Sequence, residues 1–200
     1  YTSVLLLLHA CSQQGGMQPL AEPDTTAQQN QTEAAARGIT HIAGDLYRVQ
    51  NGAHFTVFMV TSAGIILADP INTEAATWLK SELEGRFDVP VRYVLYSHHH
   101  WDHASGAKVF EDTATLVGHA NMASELEFGQ SNFPVQVNII DADGDQLLSR
   151  DEATDELATE FDQLDTDTDG YLSGTEILAN VLPPQIVYSE RMTITLGGKT

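Results

Sequence analysis

Four side chains able to hold a metal ion fall within six residues, at the spacing His98-x-His100-x-Asp102-His103. The apolar run 91–96 directly before them reads as a strand. In an extended segment alternate side chains share a face, so His98 and His100 point together while His99 points away. Two imidazoles can then grip one ion. Asp102 and His103 follow where the chain leaves the strand and enters a helix near Gly106, so they can turn toward a second position beside the first. The spacing implies two adjacent metal sites. Three consecutive histidines alone would fit a solvated cluster; a strand before them, the full spacing and Ala104-Ser105-Gly106 after them give the motif its context.

With every ligand position present, this stretch resembles the metallo-β-lactamase fold superfamily. The resemblance implies an α/β chain, the N-terminal part of an αββα sandwich, with two zinc ions: His98 and His100 on the first, Asp102 and His103 on the second. It also implies a hydrolase in which an activated water attacks an ester, lactone, lactam or related bond of a small-molecule substrate, with Asp102 as the catalytic residue. Fold likeness cannot name that substrate. Asp69, before Pro70 at the end of an apolar strand, is expected to support the metal loop by hydrogen bonds that orient it.

A second donor pattern lies downstream. Asp165, Asp167, Asp169, Tyr171, Ser173 and Glu176 match an EF-hand calcium loop at every position: three short carboxylates, a backbone carbonyl at Tyr171, a position often filled through water at Ser173, and a glutamate that binds with both oxygens. Gly170 permits the sharp turn. Asp141, Asp143, Asp145, Leu147, Ser149 and Glu152 form a matching loop with Gln146 where glycine is expected. A Cβ there costs on the order of 1 kcal/mol in a left-handed conformation, so one strong and one weaker Ca2+ site are expected. The loops start 24 residues apart, room for one shared helix from Ser149 to Leu164 with Ala153, Leu157, Phe161 and Leu164 on its apolar face. Residues 131–184 therefore read as an α-helical EF-hand pair inserted into the hydrolase domain of residues 38–130, which resumes over 185–200.

The elements that must position the first motif are short strands over 42–49, 54–61 and 65–68, separated by turn formers, then a helix capped by Asn72 that runs to Glu84. A strand over 114–118, a helix over 120–128 and β pattern over 185–188 and 191–196 follow. His54, at a strand start, and His119, leading into a helix, lack motif spacing and read as structural.

The 200-residue chain carries a net charge of −19, of which the segment 141–176 contributes −12. No basic patch exists for a phosphate backbone, which argues against nucleic acid. Cys11 is the only cysteine, so no internal disulfide forms. The apolar run Val4 to Leu8, then Leu8-His9-Ala10-Cys11, reads as the end of a signal peptide (residues 1–11) with a lipobox-like site, making Cys11 a lipidated N-terminus. Residues 12–37 read as a disordered tether. The expectation is an exported bacterial lipoprotein, periplasmic or on the cell surface, anchored to the membrane through Cys11. The start at Tyr1 and the stop after a turn at Gly197-Gly198 lead to the expectation that sequence continues past both ends and that this stretch alone is inactive. The competing reading from another class is a calcium-responsive binding lipoprotein with a degenerate hydrolase domain.

Overall fold

The computed structural model describes residues 37–200 apart from Gln136. Cys11, the apolar run before it and the tract up to residue 36 lie outside the described residues.

A single seven-stranded sheet carries the site. Its first four strands, β1 (Gly38–Ala43), β2 (Leu46–Asn51), β3 (His54–Thr61) and β4 (Gly64–Ala68), form an antiparallel meander. β4 then pairs in parallel with β5 (Val91–Leu95), β5 with β6 (Thr115–His119), and β6 with β9 (Ile186–Tyr188). The expected strand over 42–49 is in fact the end of β1 and most of β2: the chain turns at Gly44, whose φ of +54° suits a residue without a Cβ. The expected strand over 191–196 is absent; only Leu196 bridges to Lys199 across the Gly197-Gly198 turn.

β3 shows how the sheet is divided. Thr56 and Phe58 are buried on one face, whereas Phe55 and Val57 alternate onto the other and are exposed. The buried face packs on α1 (Thr73–Arg86), through Ala75, Ala76, Leu79 and Leu83. Asn72 caps α1 as its sequence position suggested, its side chain accepting the Ala75 N–H at 2.8 Å. Trp78, expected on the apolar face, is only partly buried and lies under the Arg37 guanidinium, 5.5 Å from the ring centre.

After β5 the chain passes through the histidine motif into α2 (Trp101–Ala104) and a 3-10 helix (Ser105–Phe110) that lies against α1. α3 (Asn121–Asn132) follows β6. Residues 133–185 intervene before β9 returns to the sheet beside β6. They hold two acidic loops joined back to back by a two-residue antiparallel pair, β7 (Leu148–Ser149) with β8 (Tyr171–Leu172). Between the loops runs α4 (Asp155–Leu164), and the second loop leads into α5 (Gly174–Ile177). The helix expected from Ser149 therefore starts six residues later. Thr154 is extended (φ −124°, ψ 164°), and Arg150–Glu152 form only a turn, which folds the Glu152 carboxylate back onto Ser149. The apolar residues named for that face hold: Leu157, Phe161 and Leu164 are buried, and Ala153 packs against them.

Candidate metal centre

The motif follows the C-terminal end of β5, an interior parallel strand, and is held by the loop that follows β4. Asp69 N–H bonds Leu95 O, Ile71 N–H bonds His103 O, and Gly106 N–H bonds Ile71 O, at 3.0 to 3.1 Å. Gly106 is needed for this approach, because a Cβ there would stand 2.5 Å from Pro70 O and 2.6 Å from Asn72 O. The 69–71 loop is strained to reach it: Asp69 and Ile71 have φ of +24° and +64°.

Asp69 bonds the residue directly before the motif. Its Oδ1 accepts the Ser97 N–H at 2.8 Å and its Oδ2 accepts the Ser97 hydroxyl at 2.5 Å. Ser97 Oγ also lies 2.8 Å from His98 Nδ1. A hydroxyl has one hydrogen, and Asp69 takes it, so the His98 Nδ1–H is the donor in this contact. That fixes the tautomer and leaves the His98 Nε2 lone pair for a ligand, the usual role of a carboxylate relay behind a metal-binding histidine.

The rings of His98 and His100 stand 4.5 Å apart, and those of His98 and His103 4.4 Å apart. His100 is held below the ordinary imidazole range by burial and by His98, His99 and His103, with Asp102 pulling the other way. That favours the neutral form, which a ligand needs. His99 is lowered too, by burial first. Asp102 and His103 sit on α2, and the His103 Nε2 is 3.5 Å from Asp102 Oδ2.

Two groups of donor atoms converge within 4.8 Å of one another here: His54, Asp102 and His103, and Asp69, His98 and His103. The donor chemistry suits a borderline metal such as zinc. His103 belongs to both groups, and His100 joins neither, its contact being ring to ring with His98. The addition is His54, read as structural from sequence. It has no motif spacing, and the turn at Gly52, with φ +58°, starts β3 where its first side chain meets α2. No sequence signal marked it. His119 keeps its structural role, with Nε2 bonded to Ser189 O at 2.8 Å and Nδ1 accepting the Asn121 N–H at 3.1 Å.

A cleft of about 1220 Å³ opens beside these residues. Trp101, Asp102 and His54 form one wall, Trp78 and Arg37 another, and Glu156 and Glu160 of α4 the third. The segment between α3 and β9 thus takes part in the site. Glu160 is raised above the usual carboxylate range by burial and by Glu156 and Glu74.

The two acidic loops are built alike. Gln146 and Gly170 N–H each donate to the first aspartate, Asp141 or Asp165, at 3.1 Å. Leu147 and Tyr171 N–H each donate to Asp145 or Asp169 at 2.8 Å, and Glu152 and Glu176 each accept from Ser149 or Ser173. Oxygens of Asp141, Asp143 and Glu152, and of Asp165, Asp167 and Glu176, converge. One expectation needs correction. Gln146 does adopt the left-handed conformation (φ 66°), but so does Thr168 in the other loop (φ 59°), where the first has Gly144. Each loop carries one glycine and one residue with a Cβ at its two left-handed positions, so backbone strain does not rank them.

No curated protein matches the chain. Solved structures do. A metallo-beta-lactamase from Legionella gormanii is 20% identical over 80% of this chain and 49% of its own, with a TM-score of 0.50. A B3 metallo-beta-lactamase with an active-site glutamic acid is 25% identical over 49% of this chain and 39% of its own, at a TM-score of 0.42. One from Novosphingobium pentaromativorans is 25% identical over 46% and 35%, at 0.41. The chain spans from about a third to half of the length of these structures. The Legionella likeness speaks for the fold alone. The family model of the metallo-beta-lactamase superfamily matches residues 52–169, more than half of the chain and including His54, the whole histidine motif and α4. Together with the mixed sheet and the His/Asp cluster that the sheet presents, that match makes this chain a member of the metallo-beta-lactamase superfamily.

Proposed function

We propose that the protein is a zinc-dependent hydrolase of a small-molecule ester, lactone, lactam or related bond. The observation that carries this is the pair of donor groups His54, Asp102 and His103, and Asp69, His98 and His103, beside a cleft lined by His100 and Asp102, with His98 oriented through Ser97 by Asp69. His98 and His100 would hold one ion, Asp102 and His103 the other. Bound zinc lowers the pKa of water and polarises the bond under attack. Asp102, which lines the cleft, would orient the attacking water and take its proton, while Trp78 would offer apolar surface to substrate. In the full-length protein, chelation should abolish turnover of reporter substrates, zinc should restore it, and Asp102→Asn should lower kcat. Turnover indifferent to both contradicts the reading.

The same proposal includes calcium in the 141–152 and 165–176 loops, supported by their matching carboxylate geometry, with residues 131–184 as an insertion that builds one wall of the cleft. It also includes export and lipidation at Cys11, supported by Leu8-His9-Ala10-Cys11 and the polar tract that follows. Among the described residues no helix is long and apolar enough to cross a membrane. Cys11→Ser should move the protein from the membrane to the soluble fraction.

A further inference from the structure

We infer that His54 is a third protein ligand to the metal ion held by Asp102 and His103, and that Glu156 of α4 orients its ring. The inference rests on the metal-dependent reading above and adds a residue 48 positions before Asp102, outside the motif.

The distances fit a shared ion. His54 Nε2 is 3.3 Å from Asp102 Oδ2, and His103 Nε2 is 3.5 Å from the same oxygen. Ligands about 2.0–2.1 Å from a tetrahedral zinc lie roughly 3.3–3.4 Å from one another. A plain histidine–carboxylate pair would account for one of these contacts. It would not bring a second imidazole nitrogen to the same oxygen, with the His54 and His103 rings edge to face at 5.5 Å. Three donor atoms within 4.8 Å of one another are the arrangement that a shared ion would use.

The other side of the ring matches as well. A metal-bound histidine usually turns its second ring N–H toward a carboxylate, which fixes the ring and raises its basicity. His54 Nδ1 faces Glu156 Oε1 at 3.9 Å, within ion-pair range though long for a hydrogen bond. Glu156 is itself steadied by Asn72, whose Nδ2 donates to the same oxygen at 3.3 Å. The ring therefore stands between two carboxylates, one beside the metal position and one on the helix that joins the two acidic loops. Backbone geometry supports the placement: Asn51 pairs with His54 across the Gly52 turn, which sets His54 at the tip of the β2–β3 hairpin above α2.

The test uses the full 200-residue chain in a Cys11→Ser background, titrated with cobalt(II) in competition with a chromophoric chelator. The unaltered background chain should take up two ions. His54→Ala should weaken one of them by more than about 100-fold and leave the other alone, and Glu156→Gln should weaken the same ion by about 10- to 100-fold. His54→Cys supplies a second readout: a thiolate-to-cobalt charge-transfer band, absent from the background chain, appears only where position 54 reaches the ion. Two ions bound by His54→Ala with less than about a ten-fold loss, and no such band in His54→Cys, would overturn the assignment while leaving the zinc-hydrolase reading intact. No uptake by the background chain would overturn both.

Discussion

Glu156 Oε1, on the helix between the two acidic loops, accepts a hydrogen bond from the Nδ2 of Asn72, the buried residue that caps α1 beside the metal loop. The segment between α3 and β9 is thereby fastened to the turn that positions the histidine motif. Asn72→Ala removes both the cap and the Glu156 donor and should cost about 1–2 kcal/mol in urea unfolding. Asn72→Asp keeps a capping oxygen but sets a carboxylate against Glu156, so it should recover only part of the loss. Full stability in both variants would contradict the contact.

Gly106→Ala tests the close approach of the 69–72 loop to the motif. The added Cβ would meet backbone oxygens of Pro70 and Asn72 and the Ala76 Cβ at 2.5 to 2.8 Å. Separation of these segments should cost about 1–3 kcal/mol and lower metal affinity together with stability. An unaltered unfolding midpoint would show that the loop is looser than described.

Acid should unfold the calcium-free chain in part through Glu152. Hydrogen bonds from the Ser149 hydroxyl and from the Ser149 and Ala142 N–H groups hold its carboxyl at about 2, against an ordinary value of 4.5. A carboxyl depressed in the folded state stabilises above its unfolded pKa, and that contribution is lost as pH falls from about 4.5 toward about 2. Glu176 acts in the same direction: burial pushes it up, but bonds from Ser173 and Thr166 outweigh this. Glu152→Gln should flatten the acid limb of a stability–pH curve in chelator. An unchanged limb would remove Glu152 from the account.

Much of this was legible in the sequence because it was local. Asn72 before a helical pattern and the apolar run of β5 each carry their meaning within a few residues. His54 was not legible, since what gives it a role is the approach of the β2–β3 turn to α2, a contact set by sheet register. The turn at Gly44 is hidden because Ala43 and Leu46 continue an apolar pattern across it. The helix over 149–164 was read too long for the opposite reason: its apolar period continues through Ala153, but the Glu152 carboxylate is drawn back to Ser149 and the helix restarts after Thr154.

The acidic loops offer a paired test of strain. Gln146→Gly and Thr168→Gly each relieve one left-handed residue, worth on the order of 1–2 kcal/mol, and each should tighten calcium binding in its own loop. Calorimetry on the full chain would show both gains. Improvement from Gln146→Gly alone would restore the unequal strain expected from sequence.

The central claim is that the histidine motif holds metal, and metal content tests it most directly. Full-length protein purified without chelator should carry close to two zinc ions by elemental analysis, as implied by the two donor pairs. His100→Ala combined with Asp102→Ala should abolish that content while circular dichroism shows the fold retained. The same zinc content in the double variant would contradict the account.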